Sequence, residues 1–140
     1  MTEVMTDSLE NRENILIIED EMDMRFFLNT LLKTNGLDPV TARNGKEGIE
    51  KAREIRPDLI ILDVMMPEKG GALVYRQLRT DGLLKDIPVI ILSAVSKTSF
   101  YHYLKMLNSE GHPSIPLPNA YIEKPPDTEY LLSTIKSLIR

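Results

Sequence analysis

Glu19-Asp20, Asp63, Ser93 and Lys124 are the residues of this 140-residue chain whose types and placement suggest shared chemistry. Each follows a short apolar run. Ile15 to Ile18 precedes the acid pair, Leu59 to Leu62 precedes Asp63, Val89 to Leu92 precedes Ser93, and the shorter Ala120 to Ile122 leads into Lys124. Brought together, three carboxylates repel and raise one another's pKa, so something cationic must compensate. Lys124 supplies one positive charge. A donor set made only of oxygens, with water access, suits a hard divalent ion such as Mg²⁺, which takes one or two carboxylates and keeps several waters. Calcium fits less well, because no loop offers the oxygens of an EF-hand. A carboxylate beside Mg²⁺, an ammonium and a hydroxyl is equipped for phosphoryl transfer, where positioning and positive charge provide most of the catalysis. An aspartate can itself be the nucleophile and carry the group as an aspartyl phosphate, and Asp63 is the best candidate.

The elements that would position these side chains follow from periodicity. The three long apolar runs suit strands covered on both faces. Val40-Thr41 after Leu37 and Ala120 to Ile122 suggest two shorter strands. Helical patterns lie between them. Met24, Phe27, Leu28, Leu31 and Leu32 recur at helical spacing and stop at Asn35-Gly36. Gly45 to Ile55 gives a second helix ended by Pro57, and Ala72, Leu73, Tyr75 and Leu78 a third before Asp81-Gly82. A fourth runs from about Ser96 to Asn108, and a fifth from Asp127, an expected N-cap, through Leu131, Leu132, Ile135, Leu138 and Ile139. A β-strand and helix alternation repeated five times is an α/β class signal: a parallel sheet with right-handed crossovers and helices on both faces. Ligands of such sheets bind beyond the carboxyl ends of the strands. The residues named at the outset stand at those ends.

Composition narrows the classes. The length suits one domain, 14–140, after a polar stretch 1–13 that reads as a solvated tail. With no cysteine there is no zinc-thiolate, iron-sulfur or thiol chemistry. A net charge of −4 with scattered Lys and Arg argues against a nucleic-acid surface. No apolar run is long enough to span a bilayer, and the acidic start is unlike a secretory signal, so a cytoplasmic protein is expected. A Walker loop and a glycine-rich dinucleotide turn are both absent. Phosphatases of the dehalogenase type place a second acid two residues after the nucleophile, where Met65 stands here.

The segments ILIIEDE, PDLIILDVMMPEKGG, PVIILSA and AYIEKPP, in that order, resemble the signature blocks of the response-regulator receiver domain of two-component signalling over nearly all of 14–140. The resemblance implies a flavodoxin-like, doubly wound fold with strand order 2-1-3-4-5. It makes Asp63 the phospho-acceptor, and Glu19 and Asp20 the acids that hold Mg²⁺ with Asp63 and the backbone carbonyl of Met65. Ser93 and Lys124 then bind phosphoryl oxygens, and Ser93 and Tyr121 form the switch. Pro67 and Gly71 match the family's loop proline and glycine, and Lys124-Pro125 matches a peptide that is usually cis. The partners implied are a sensor histidine kinase or a histidine phosphotransfer protein, and a downstream protein docking on the face of the fourth helix, fifth strand and fifth helix. The expected state is a monomer or weak dimer. With no output domain after Arg140, a single-domain regulator is expected, not an enzyme in the ordinary sense. The alternatives are a degenerate, unphosphorylated interaction module and a receiver fragment of a hybrid histidine kinase.

The chain departs from the family pattern in three places. Glu19 stands where Asp is commoner. Met65 and Val95 occupy positions that tune acyl-phosphate hydrolysis, and neither can orient a water by hydrogen bonding, so slow self-dephosphorylation is expected. Ser93 and Lys124 lie 31 positions apart, which points to an extended segment at about 96–119, stiffened by Pro113, Pro116 and Pro118. That segment reads equally as a partner-recognition surface and as a loop without one. Single residues also have plainer readings: Asp63 as a helix cap, Lys124 as a surface charge, Tyr121 as packing. Phe100, Tyr101 and Tyr103 read as partly core, His102 and His112 as exposed and inert, and the methionines as gap fillers.

Overall fold

The computed structural model describes residues 12–65, 70–109 and 114–139. The expected tail lies almost wholly outside the described residues, as do Pro67, His112 and Pro113. Five parallel strands, β1 (Asn14–Ile18), β2 (Asp38–Ala42), β3 (Leu59–Leu62), β4 (Val89–Ser93) and β5 (Ala120–Glu123), form one sheet in the order β2-β1-β3-β4-β5. The helices are α1 (Met22–Thr34), α2 (Gly45–Ile55), α3 (Gly70–Thr80), α4 (Lys97–Ser109) and α5 (Thr128–Leu138). The α/β class and strand order match the sequence expectation, α2 has the expected limits, and other helix ends lie within about two residues of it.

The sheet is held by an apolar layer on each face. Leu16, Ile18, Ile60, Leu62, Val89 and Ile91 turn one way, onto Ile49 and Ala52 of α2, Val74, Tyr75 and Leu78 of α3, and Phe100 and Leu104 of α4. Ile15, Ile17, Leu59, Ile61, Ile90 and Leu92 turn the other way, onto Leu28 and Leu32 of α1 and Leu131 and Ile135 of α5. This two-sided covering explains the unbroken apolar runs. Buried aliphatic side chains each contribute on the order of 1.5–3 kcal/mol, so these layers, not the polar groups, stabilise the fold. Phe27 and Leu73, which share their helices' apolar spacing, are exposed.

Local signals set the helix ends. The Asn44 side chain accepts from the Glu47 amide at 2.9 Å and starts α2, and Asp127 accepts from the Glu129 and Tyr130 amides at 3.0 and 3.1 Å to start α5. Gly36, with φ +81°, reverses the chain after α1. Residues 114–119, which lead into β5, are irregular and pinned by side chains. Asn108 bonds both the amide and the carbonyl of Ile115, and the Tyr75 hydroxyl donates to the Pro116 carbonyl at 2.7 Å. Arg79 donates to the Tyr75 hydroxyl, to the Lys85 and Ile87 carbonyls and to the Asn119 side chain. Replacing Tyr75 with Phe removes two hydrogen bonds, one donated to Pro116 and one accepted from Arg79, from a fully buried ring while keeping its shape. The expected cost is about 1–3 kcal/mol, read as a lower urea midpoint at unchanged slope; an unchanged midpoint would show that this anchor contributes nothing.

Candidate functional site

Parallel register brings the strand ends into line. Ile18 pairs with Leu62, so Glu19 and Asp63 are adjacent, and the Asp63 amide donates to the Ile18 carbonyl at 3.0 Å. Ser93 pairs with Glu123, and the Lys124 amide donates to the Ser93 carbonyl at 2.9 Å. The Lys124-Pro125 peptide is cis.

The Lys124 ammonium reaches from β5 across β4 and bonds Glu19 Oε1 at 2.7 Å and Asp63 Oδ2 at 3.2 Å. Asp63 Oδ1 accepts from the Met65 amide at 2.9 Å, and Glu19 Oε2 from the Glu21 amide at 3.2 Å. Glu19 and Asp63 are only 2% and 4% exposed, whereas Asp20 and the Met65 side chain face solvent. One carboxylate oxygen from each of Glu19, Asp20 and Asp63 lies within 4.8 Å of the others. Burial pushes the Glu19 carboxyl up to about 7 despite its bond to Lys124, with the Asp63 charge adding to the rise. Burial by itself lowers the Lys124 pKa, but the Glu19 and Asp63 carboxylates outweigh it and hold the net value above the usual lysine range. Lys124 is therefore a fixed cation. The exposed Asp20 leaves room for water at one side, so the oxygen donors suit a small hard cation.

Ser93 is fully buried, and its hydroxyl accepts from the Val95 amide at 3.2 Å instead of meeting the carboxylates. Tyr121 is turned inward: its hydroxyl donates to the Val95 carbonyl at 2.6 Å, and its ring packs against Phe100 and edge-on to Tyr101. Burial, then the charges of Glu123 and Asp63, push the Tyr121 hydroxyl up to about 12, so it remains a donor. Of the expected aromatic trio, Phe100 is core, Tyr101 half-buried and Tyr103 exposed; His102 is exposed. Arg25 escaped the sequence reading. Its guanidinium donates to the Glu19 and Asp20 carbonyls at 2.9 and 2.8 Å, yet in the sequence it is one more charge on a helix.

With this geometry in view, comparison with known proteins is informative. The family model for the response regulator receiver domain matches residues 15–136. The chain belongs to the response regulator receiver domain family. This receiver is 34% identical over 128 residues to the polar-differentiation response regulator DivK of Brucella anthropi, covering 91% of the chain and 96% of that protein. It is also similar to the signal receiver domain of a histidine kinase from Syntrophus aciditrophicus, at 32% identity and TM-score 0.75, covering 91% and 89% of the two chains. The chemotaxis protein CheY4 of Vibrio cholerae, at 25% identity, gives TM-score 0.75 with 91% and 98% covered. No helix among the described residues is long and apolar enough to cross a membrane.

Gly71, in the first turn of α3, packs directly on the backbone of Asp63 and Val64. Its amide donates to the Val64 carbonyl at 2.8 Å, and a Cβ there would strike the Val64 backbone and stand 2.6 Å from the Asp63 carbonyl. Since these neighbours are backbone, they cannot step aside. Gly71→Ala is expected to lower stability by about 1–3 kcal/mol in urea unfolding; a loss below a few tenths would show that the contact between Gly71 and the Asp63–Val64 backbone is looser than this packing indicates.

Proposed function

We propose that this receiver accepts a phosphoryl group on Asp63 from a phosphohistidine of a histidine kinase or phosphotransfer protein. The observation that carries the reading is Lys124 bridging Glu19 and Asp63 within the three-carboxylate cluster. A carboxylate oxygen of Asp63 forms a bond to phosphorus as the phosphorus–nitrogen bond of the phosphoimidazole breaks, and the imidazole leaves with the bonding pair. The Lys124 ammonium balances the charge gathered on the phosphoryl oxygens, and the Met65 amide holds Asp63 in orientation. Glu19, Asp20, Asp63 and the Met65 carbonyl would hold Mg²⁺, which supplies further positive charge for the same oxygens.

The phosphoryl group then persists as a signal. The Ser93 hydroxyl accepts from the Val95 amide, and a dianion on Asp63 would offer the hydroxyl's own proton a strong acceptor; Val95 also holds the Tyr121 hydroxyl through its carbonyl. Drawing Ser93 toward Asp63 shifts the β4–α4 turn and, with Tyr121, the face of α4, β5 and α5 that meets a protein target. The similarity to the response regulator DivK over 96% of that protein supports a signalling role, and the output proposed here is docking to another protein in the cytoplasm rather than contact with nucleic acid. A degenerate, unphosphorylated receiver is disfavoured by the assembled carboxylates and ammonium.

Incubation with acetyl phosphate and Mg²⁺ is expected to add one phosphoryl group to the wild type by intact mass, and none to Asp63→Asn. No gain in the wild type would overturn the reading. Met65 is 62% exposed but apolar, and Val95 is half-buried. Neither side chain can hold an attacking water, so the phosphoprotein, freed of donor, is expected to lose its phosphoryl group over minutes or longer. A decay within seconds would sink that expectation.

A further inference from the structure

The two acids after β1 present a local problem. Glu19 and Asp20 are successive residues, and in an extended chain successive side chains point to opposite sides. Here both bring a carboxylate oxygen to Asp63. The backbone must turn between them, and their two carbonyls mark the turn, because both are directed at a single nitrogen, Nη1 of Arg25, at 2.9 and 2.8 Å. No backbone amide among the described residues outside regular helix and strand pairing donates to either carbonyl. Arg25 stands in the opening turn of α1, where its own amide donates to the Glu21 carbonyl at 3.0 Å, so the clamp is anchored to a helix. That helix lacks a side-chain cap at Glu21. The Glu21 amide is bonded instead by the Glu19 carboxylate, which leaves Arg25 as the side chain tying the turn to α1 from outside the pocket.

We propose that Arg25 is a positioning residue: by holding the Glu19 and Asp20 carbonyls on one side of the turn, it directs both carboxylates toward Asp63 and so sets the affinity of the site for a divalent cation. Arg25 touches neither phosphoryl group nor cation. The inference rests on the metal-assisted reading given above. Groups that orient ligands from behind typically change metal affinity by 10- to 100-fold when removed.

The test compares wild type, Arg25→Ala and Arg25→Lys by calorimetric titration with Mg²⁺, by amide hydrogen exchange at 19–21 in metal-free protein, and by thermal midpoint. Arg25→Ala is expected to weaken Mg²⁺ binding about tenfold and to speed exchange at the turn. At saturating Mg²⁺ its rate of phosphorylation by acetyl phosphate should return to near the wild-type rate. Arg25→Lys, whose ammonium can still donate to carbonyls, should recover part of the affinity. A lower midpoint with Mg²⁺ affinity and local exchange unchanged would assign Arg25 a structural role only and overturn the proposal. If Arg25→Ala does not fold, Arg25→Lys and Arg25→Gln carry the comparison, and equal Mg²⁺ affinity in both and the wild type overturns it. A wild type that binds no Mg²⁺ removes the metal-assisted reading itself, whereas a wild type that binds beside an indifferent Arg25→Ala removes this inference alone.

Discussion

One ammonium set against three carboxylates is the constraint from which the rest of this structure follows. Lys124 can meet Glu19 and Asp63 together only because β1, β3, β4 and β5 end in line, and they end in line because parallel register carries Ile18 opposite Leu62 and Ser93 opposite Glu123. Removing such charges from water costs several kcal/mol per ion, and mutual attraction returns only part of it. The cluster therefore does not hold the domain together. The two apolar layers do, and their surplus allows an electrostatically unfavourable group to persist at one end of the sheet. Glu19 displays the tension most clearly: burial drives its carboxyl toward the neutral form while Lys124 draws it toward the charged one.

From the pocket a line of contacts runs along one face of the sheet. Ser93 meets the Val95 amide, the Val95 carbonyl takes the Tyr121 hydroxyl, Tyr121 packs on Phe100, and Phe100 meets Tyr75 edge-on at 6.0 Å. Tyr75 in turn anchors the Pro116 carbonyl and the Arg79 fork. The aromatic rings therefore do two things at once. They fill the core beneath α4, and the Tyr75 and Tyr121 hydroxyls bond carbonyls of irregular chain at Pro116 and Val95. Residues 114–119 are held in this way by side chains rather than by strand pairing.

The parts of this arrangement that sequence could reveal are those carried by period and position. Unbroken runs such as Ile15 to Ile18 and Leu59 to Leu62 reveal buried strands, and the residue after each run must then stand at a strand end. Asp127 and Asn35-Gly36 mark helix ends through local hydrogen bonding and backbone freedom, both short-range effects. What stayed hidden depends on reach across the fold. Arg25 looks like a surface charge until α1 is docked, and Tyr75, Arg79 and Asn119 come together from positions up to 44 residues apart only once α3 lies beside the return to β5. The hydroxyl of Ser93 belongs to the same class. Its position was legible, but its engagement with the Val95 amide was not, because that depends on the conformation of a turn.

The nucleophilic role proposed for Asp63 requires that a partner reach a buried side chain, and its burial is uneven. Its neighbours Asp20 and Met65 are exposed, so the carboxylate sits one side chain below the surface, held at one oxygen by the Met65 amide and at the other by Lys124. A carboxylate in water must shed its hydration before attacking phosphorus. Here the Met65 amide and the Lys124 ammonium already stand where that water would be, and in the proposed transfer they would not need to reorganise as charge moved onto the phosphoryl oxygens. Under the proposed function the same enclosure would work against the reverse loss to solvent, because Met65 and Val95 carry no group that could guide a water. Capture and retention of a phosphoryl group, as proposed, would thus draw on one physical feature, a carboxylate enclosed at the end of a sheet.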